Sequence, residues 1–255
     1  MTGISSAENK RIDALVEHYL ANRAKFNTIL YQLSGYVAAS RVLDSHVHST
    51  KQRTKDPDHL RSKLVRKLLK SKTSPEPFDI NKDNLFKQIN DLAGFRILHL
   101  HTRQVKDIHD ELFSIFDEQR WILVEGPVAK TWDDESRGYF RAMGWATEVS
   151  ECMYTSVHYV VQPNSRSELT CELQVRTLME EVWGEVDHTI NYPVKSPSQS
   201  CREQIKVLAR LTSSCSRLVD SIFLANLESE PSAVKLPLKK PSRVKKPASP
   251  KIPPA

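Results

Sequence analysis

Apolar residues recur along this chain with two different periods. From Glu8 to about Val47, Ile12, Leu15, Val16, Tyr19, Leu20, Phe26, Ile29, Leu30 and Leu33 fall three and four residues apart. That spacing predicts one or two helices, with Gly35 as a break. "STKQRTKDPDHLRSKLVRKLLKSK" predicts a short polar stretch and then a basic helix. Asp56 suits a helix cap and Pro57 a first turn, and Lys63, Arg66, Lys67 and Lys70 then repeat on one face. "PEPFDINKDN" reads as a linker, and "DLAGFRILHL" as a strand that opens with Asp91 and contains Gly94. Val105 to Gln119 has an amphipathic helical pattern, and "WILVEG" a strand pattern. Pro127 to Cys152, polar and aromatic without a period, reads as a long irregular segment. Leu178 to about His188 and Gln204 to about Leu227 close the pattern as two helices.

The clearest alternation lies in "MYTSVHYVVQPNSRSELTCELQVRT", from Met153 to Thr177. It predicts two strands joined by the polar turn "PNSRSE". Thr155, Val157 and Tyr159 share one face of the first strand, and Tyr154, Ser156 and His158 the other. On the second strand Cys171, Leu173 and Val175 form an apolar row, and Glu172, Gln174 and Arg176 a polar one. A sheet with one wet face alternates in the same way. Here, however, the polar rows gather a carboxylate, an amide, a guanidinium, a phenol and an imidazole, an inventory suited to a charged, polar ligand. The order of elements predicts an α/β (α+β) fold, a mixed β-sheet flanked by helices with further helices at both ends.

Composition divides the chain. Its 255 residues suit one large domain with appendages, and its net charge is +6. The segment from Pro231 to Ala255 holds seven basic residues, no acid and seven of the 14 prolines. Removing those seven charges leaves about −1 for the rest. Such a segment cannot form a helix interior or bury a core, so it is expected to be disordered or polyproline-like. It suits contact with tRNA or other RNA, and equally a plain solubilising end. The expected division is a helical region over 1–49, a main domain over 50–228 and a basic tail over 229–255. No stretch approaches membrane-spanning length, which predicts a soluble, cytoplasmic protein with no membrane contact. Cys152, Cys171, Cys201 and Cys215 show no zinc spacing and fit reduced thiols. The pairs His46/His48 and His99/His101 lack a third ligand at sensible spacing.

Asp91 and Glu172 are carboxylates at strand ends. On neighbouring strands they would suit Mg²⁺, which takes hard oxygen ligands and substrate phosphates. Lys51, Arg53, Lys55, Lys63 and Arg66 supply the cations that neutralise a polyphosphate. Together these describe metal-assisted phosphoryl or pyrophosphoryl transfer. No G-x-x-x-x-G-K-[ST] stretch is present, which argues against a P-loop enzyme.

"RTKDPDHLRSKLVRK", "DLAGFRILHL", "YTSVHYVV" and "ELQVRTLMEEVWGEVDH" fall in an order and at spacings that resemble the RelA/SpoT-type alarmone synthetase domain, over roughly Thr50 to His188. The resemblance is to a stand-alone small alarmone synthetase and implies a nucleotidyltransferase-like fold. It implies an enzyme that transfers the β,γ-pyrophosphate of ATP to a nucleotide 3′-hydroxyl. It assigns Asp91 to Mg²⁺, and Glu172 to the metal or to activation of the 3′-hydroxyl. Arg53, Lys55, Lys63 and Arg66 match ATP-binding positions. Tyr154 matches the ring that stacks on the acceptor base, and His158, Gln174 and Arg176 line the same pocket. Small synthetases acting on GDP or GTP carry Lys and then Asn-Gly before that Tyr, where this chain has Cys152-Met153. The acceptor therefore stays open between GDP or GTP, an adenosine nucleotide and the 3′ end of tRNA, as in toxin-type relatives. A catalytically silent nucleotide- or RNA-binding module is the alternative from another class. Assembly as a homo-oligomer is also left open.

Overall fold

The computed structural model describes residues 3–150, 152–163, 168–192 and 194–229. The basic tail and residues 164–167 of the expected turn lie outside these. In chain order the elements are α1 (Ser6–Ala39), α2 (Arg41–His46), β1 (Ser49–Thr54), α3 (Pro57–Ser71), α4 (Leu85–Gln88), β2 (Ala93–His99), α5 (Gln104–Glu118), β3 (Ile122–Thr131), α6 (Asp134–Ala142), β4 (Ala146–Val149), β5 (Thr155–Gln162), β6 (Cys171–Thr177), α7 (Leu178–Asn191) and α8 (Gln199–Ser229). The strands form one mixed sheet in the order β1-β2-β6-β5-β3-β4. β2/β6 and β3/β4 are parallel, and the other neighbours are antiparallel. The fold is thus the expected α/β class, a mixed sheet flanked by helices.

α1 starts at a capping box, in which the Ser5 hydroxyl accepts from Glu8 N and the Glu8 carboxylate accepts from Ser5 N. It runs through Gly35 without a break, because nothing crowds that position and the apolar stripe continues to Val37. Ser40 then stops it and caps α2, its hydroxyl accepting from Leu43 N at 3.1 Å. α1 and α5 cover one face of the sheet. There Tyr19, Phe26 and Leu33 share one apolar core with Phe95, Leu173 and Val175, and Tyr159 meets His109 and Phe113. Of these, Tyr19, Phe26, Leu33, Phe95, Tyr159, Leu173 and Val175 are almost fully buried, and each contributes about 1.5–3 kcal/mol through apolar burial.

Three expectations are corrected. The polar stretch before α3, expected without an element of its own, is β1, an edge strand antiparallel to β2. The segment from Pro127 to Cys152 is not irregular. β3 passes through Gly126-Pro127 to Thr131, and α6 and β4 follow. The β3–β5 register slips between Glu125 and Val128, so Pro127 sits in a bulge where no ladder N–H is required. Finally, α8 begins at Gln199, five residues earlier than its apolar pattern. Among the described residues no helix is long and apolar enough to cross a membrane.

Candidate functional site

The sheet's second face is polar on strand after strand. Residues opposite one another in register share a face. One such row runs Lys51, Arg96, Gln174, His158, and the next runs Arg53, Gly94, Glu172, Val160, Glu125. The two polar rows of the β5/β6 strands therefore extend across the sheet, and α7 covers only one end of them.

Asp91 lies just before β2, between two lysines. Lys55 Nζ donates to Oδ2 at 2.7 Å, and Lys63 Nζ donates to Oδ1 at 2.8 Å. Burial alone would raise the Asp91 pKa, but the ammonium groups of Lys63 and Lys55 outweigh it and hold the carboxyl below its ordinary value. Each lysine is placed by local structure. Tyr19 of α1 donates to the Lys55 carbonyl at 2.6 Å, and Arg23 donates to Thr54 at 2.8 Å, which fixes the chain after β1. Asp56 caps α3, accepting from Asp58 N and His59 N, and so sets the helix phase that brings Lys63 to Asp91.

A cavity of about 310 Å³ opens there, lined by Arg53, Lys55, Lys63, Arg66 and Asp91. The four cations expected to bind a polyphosphate thus meet in one place. An aromatic wall completes the cavity: His59 meets Tyr192 edge-on at 4.6 Å, and His188 stacks on Tyr192 at 4.7 Å. Sequence reasoning did not select these three residues. His59 shares the α3 face of Lys63 and Arg66, and that spacing was the available signal.

Glu172 opens onto two further cavities, both of which Asp91 also lines. One, of about 240 Å³, adds Lys63, Lys67, Glu125, Lys130 and His158. His158 Nδ1 stands 3.0 Å from Glu172 Oε1. An ionised carboxylate only accepts, so Nδ1 carries the proton. The buried Nε2 of the same ring has no hydrogen-bond partner among the described residues. Burial raises the Glu172 pKa, but the His158 hydrogen bond outweighs it and the carboxyl lies below its ordinary value. Lys130 and Glu125 both lie on β3, either side of the bulge at Gly126-Pro127, which breaks the alternation that would mark them as sharing a face.

The other cavity, about 320 Å³, is lined by Lys51, Arg53, Arg96, Gln174 and Glu185. Beside it an ion network ties the sheet to α7. Lys51 reaches Glu181 at 2.9 Å, and Arg96 reaches Glu181 at 3.1 Å and Glu185 at 2.8 Å. Arg176, buried, pairs with Glu181. Arg176 thus sits under α7, apart from the cavities that hold Asp91 and Glu172. Gly184 makes room for it, since a Cβ at that position would meet Arg176 Nη1 at 2.9 Å.

Tyr154 precedes β5. Its ring stacks near Trp183, centroids 6.4 Å apart, and lies 5.9 Å from the His158 ring. Burial pushes its hydroxyl up to about 12, and the Glu172 charge adds to the shift. Met153 beside it has φ +57°, the left-handed conformation that glycine adopts without strain. At the far end of β6 lies another cavity, of about 280 Å³, lined by Glu180, Arg176 and Ser216. Glu180 is buried and accepts from Thr155 N at 2.9 Å. Burial pushes its carboxyl up to about 7.

The sequence model of the family described as "Region found in RelA / SpoT proteins" matches residues 52–197. No curated protein matches the chain by sequence. Among solved structures, the small alarmone synthetase 1 from Bacillus subtilis is similar with TM-score 0.57 and 16% identity, over 85% of this chain and 98% of that one. The same Bacillus subtilis protein bound to its product pppGpp gives TM-score 0.53 and 19% identity, over 82% of this chain and 95% of that one. Bound to AMPCPP it gives 0.54 and 17%, over 86% and 100%.

Proposed function

Because the chain belongs to the RelA/SpoT family, we propose that it is an ATP-dependent pyrophosphokinase, transferring the β,γ-pyrophosphate of ATP to the 3′-hydroxyl of a nucleotide. The observation that carries this reading is the meeting of Asp91 and Glu172 on one polar sheet face, with a cationic, aromatic-walled cavity on the Asp91 side.

Arg53, Lys55, Lys63 and Arg66 neutralise the triphosphate of ATP in that cavity, with the His59, His188 and Tyr192 rings available to its base. The 3′-oxygen of the acceptor attacks the β-phosphorus, the bond from that phosphorus to the bridging oxygen breaks, and AMP leaves. Glu172 takes the hydroxyl proton, and His158 orients that carboxylate through Nδ1. Tyr154 offers a ring face to the acceptor base, with Gln174 two residues from Glu172 on the same face of β6. Arg176 acts by holding α7 through Glu181.

Asp91, just before β2, and Glu172, on the neighbouring β6, are two ionised, hard oxygen donors that line the same cavities, and this donor set fits Mg²⁺ completed by substrate phosphates. When bound, the ion supplies charge neutralisation at the transferring group. Among the described residues no group of three His, Cys, Asp or Glu side chains is arranged to hold a metal; Mg²⁺ characteristically takes one or two carboxylates and fills its other positions with substrate phosphates and water. The solved relative bound to pppGpp supports a guanosine acceptor.

The test is incubation with γ-labelled ATP and, separately, GDP, GTP, AMP, ADP and deacylated tRNA, followed by identification of the labelled product. A 3′-pyrophosphorylated guanosine nucleotide is expected, and Asp91→Asn should remove it while circular dichroism stays unchanged. Absence of transfer to every acceptor, or full activity in Asp91→Asn, overturns the reading.

A further inference from the structure

The cavity of about 280 Å³ at the far end of β6 shares no lining residue with the three cavities around Asp91 and Glu172. Its inner wall is apolar: Val105 of α5, Phe140 of α6, Val157 of β5 and Val175 of β6 line it, and all are buried. α8 lies across its outer side. Arg217 of α8 reaches Glu135 of α6 at 3.2 Å, and Asp220 accepts from Thr102 N, just before α5, at 2.6 Å.

One buried carboxylate faces this wall. Glu180, in the first turn of α7, is only 4% exposed and lines the cavity. Its Oε2 accepts from Thr155 N at 2.9 Å, and its Oε1 has no hydrogen-bond partner among the described residues. An ionised carboxylate accepts about four hydrogen bonds, so most of that capacity is unused. The cations nearby are committed elsewhere. Arg176 pairs with Glu181, Arg217 pairs with Asp133 and Glu135, and Arg103 is exposed. A buried carboxyl with no cation of its own is costly, and an apolar residue at this position would avoid the cost.

A concave apolar wall with one converging polar group is the make-up of a small-molecule site. We propose that this cavity binds a small organic cation, an amine or amidine on an apolar body, whose N–H groups donate to Glu180. The occupant's charge supplies what no side chain gives Glu180, and its body covers the wall of Val105, Phe140, Val157 and Val175. An anion would meet the carboxylate unfavourably, and a purely apolar molecule would leave Oε1 unpaired. Sites for drug-sized ligands run from about 300 to 1,000 Å³, so this one takes a ligand of fragment size. The site is independent of the pyrophosphokinase reading, because neither Asp91 nor Glu172 lines it.

The test uses the full chain and benzamidine, a planar ring carrying an amidinium, with benzamide as a neutral probe of the same shape. At about pH 8 the Glu180 carboxyl, pushed up to about 7, is ionised. Calorimetric titration there should show saturable, one-site binding of benzamidine, and benzamide should bind about tenfold more weakly or worse. In spectra of isotope-labelled protein the Thr155 amide should shift on binding, because it donates to the same carboxylate. Glu180→Gln keeps an acceptor for Thr155 N, so its far-UV spectrum should be unchanged, while benzamidine affinity falls about tenfold or more. Excess ATP or GDP should leave the probe bound. The benzamide and nucleotide measurements need only the unaltered chain, so they decide the proposal whether or not the variant folds. No saturable binding, equal affinity for benzamide, undiminished binding in folded Glu180→Gln, or displacement by ATP or GDP overturns it.

Discussion

Adding one methyl group at Gly126 should damage the fold and the candidate site together. Gly126 has φ +101°, where an L-residue is strained, and its Cβ would fall 2.5 Å from the His158 carbonyl oxygen and 3.1 Å from Tyr159 Cα. Both atoms are backbone of β5, which is paired on either side by β3 and β6, so neither can swing away. The strained φ costs about 1–2 kcal/mol. Displacing β3 enough to admit the methyl breaks at least one buried ladder hydrogen bond, which adds about 1–3 kcal/mol. Gly126→Ala should therefore lose about 2–5 kcal/mol of a total near 5–15 kcal/mol. Urea unfolding should show it as a midpoint lower by about 0.7–2.5 M at a slope of about 2–3 kcal/mol/M. Gly138→Ala is the matched control, for that glycine lies inside α6 with nothing within 4 Å of an added Cβ. It should be neutral or stabilising by up to about 1 kcal/mol. The bulge also sets the strand of Lys130 against that of His158, so Gly126→Ala should lose activity at temperatures where it is still folded. A Gly126→Ala protein within about 1 kcal/mol of the parent would refute the steric argument.

The Glu180 carboxyl, pushed up to about 7 by burial, makes stability depend on pH. Below about 4.5 it is protonated folded and unfolded alike; between about 4.5 and 7 only the unfolded chain releases the proton, so about 3 kcal/mol of stability is lost across that window. Glu180→Gln should flatten this slope in urea titrations run from pH 4.5 to 8, and an unchanged slope would remove Glu180 as its source. Tyr154→Ala should weaken the acceptor about five- to 150-fold and leave ATP nearly unaffected, as stacking of about 1–3 kcal/mol requires; equal loss for both substrates in separate titrations would count against stacking. Gly184→Ala should cost about 2–4 kcal/mol in denaturant unfolding, because its methyl would displace Arg176 from the buried Glu181 carboxylate; a gain in stability would show that the pair tolerates the shift.

What the chain announces in its own pattern is an element with one apolar and one polar side. β5 and β6 alternate because Val157, Tyr159, Leu173 and Val175 enter the apolar core while His158, Glu172 and Gln174 face the polar cavities. α3 is visible from Asp56 and Pro57, since a cap is a local hydrogen bond between neighbours in sequence. β1 is silent for the opposite reason. An edge strand exposed along most of its length has no apolar face, and Lys51 and Arg53 there serve the cavity and discourage further strand pairing. The second half of β3 is hidden by its bulge, which breaks the two-residue period just where the chain enters Gly126-Pro127. Side-chain partners were least legible. Glu172 and His158, on paired neighbouring strands, could be matched by alternation alone. Arg96 and Glu181 are 85 residues apart, and nothing local to either marks the other. Arg176 shares the polar row of Glu172, and alternation alone would place the two in one pocket. The packing of α7 over the end of β6 gives the guanidinium to Glu181 instead. Periodicity records which side of an element is dry, whereas the meeting of Asp91 with Lys55, Lys63 and the Glu172 cavities depends on how separate elements stack, and only the tertiary structure decides that.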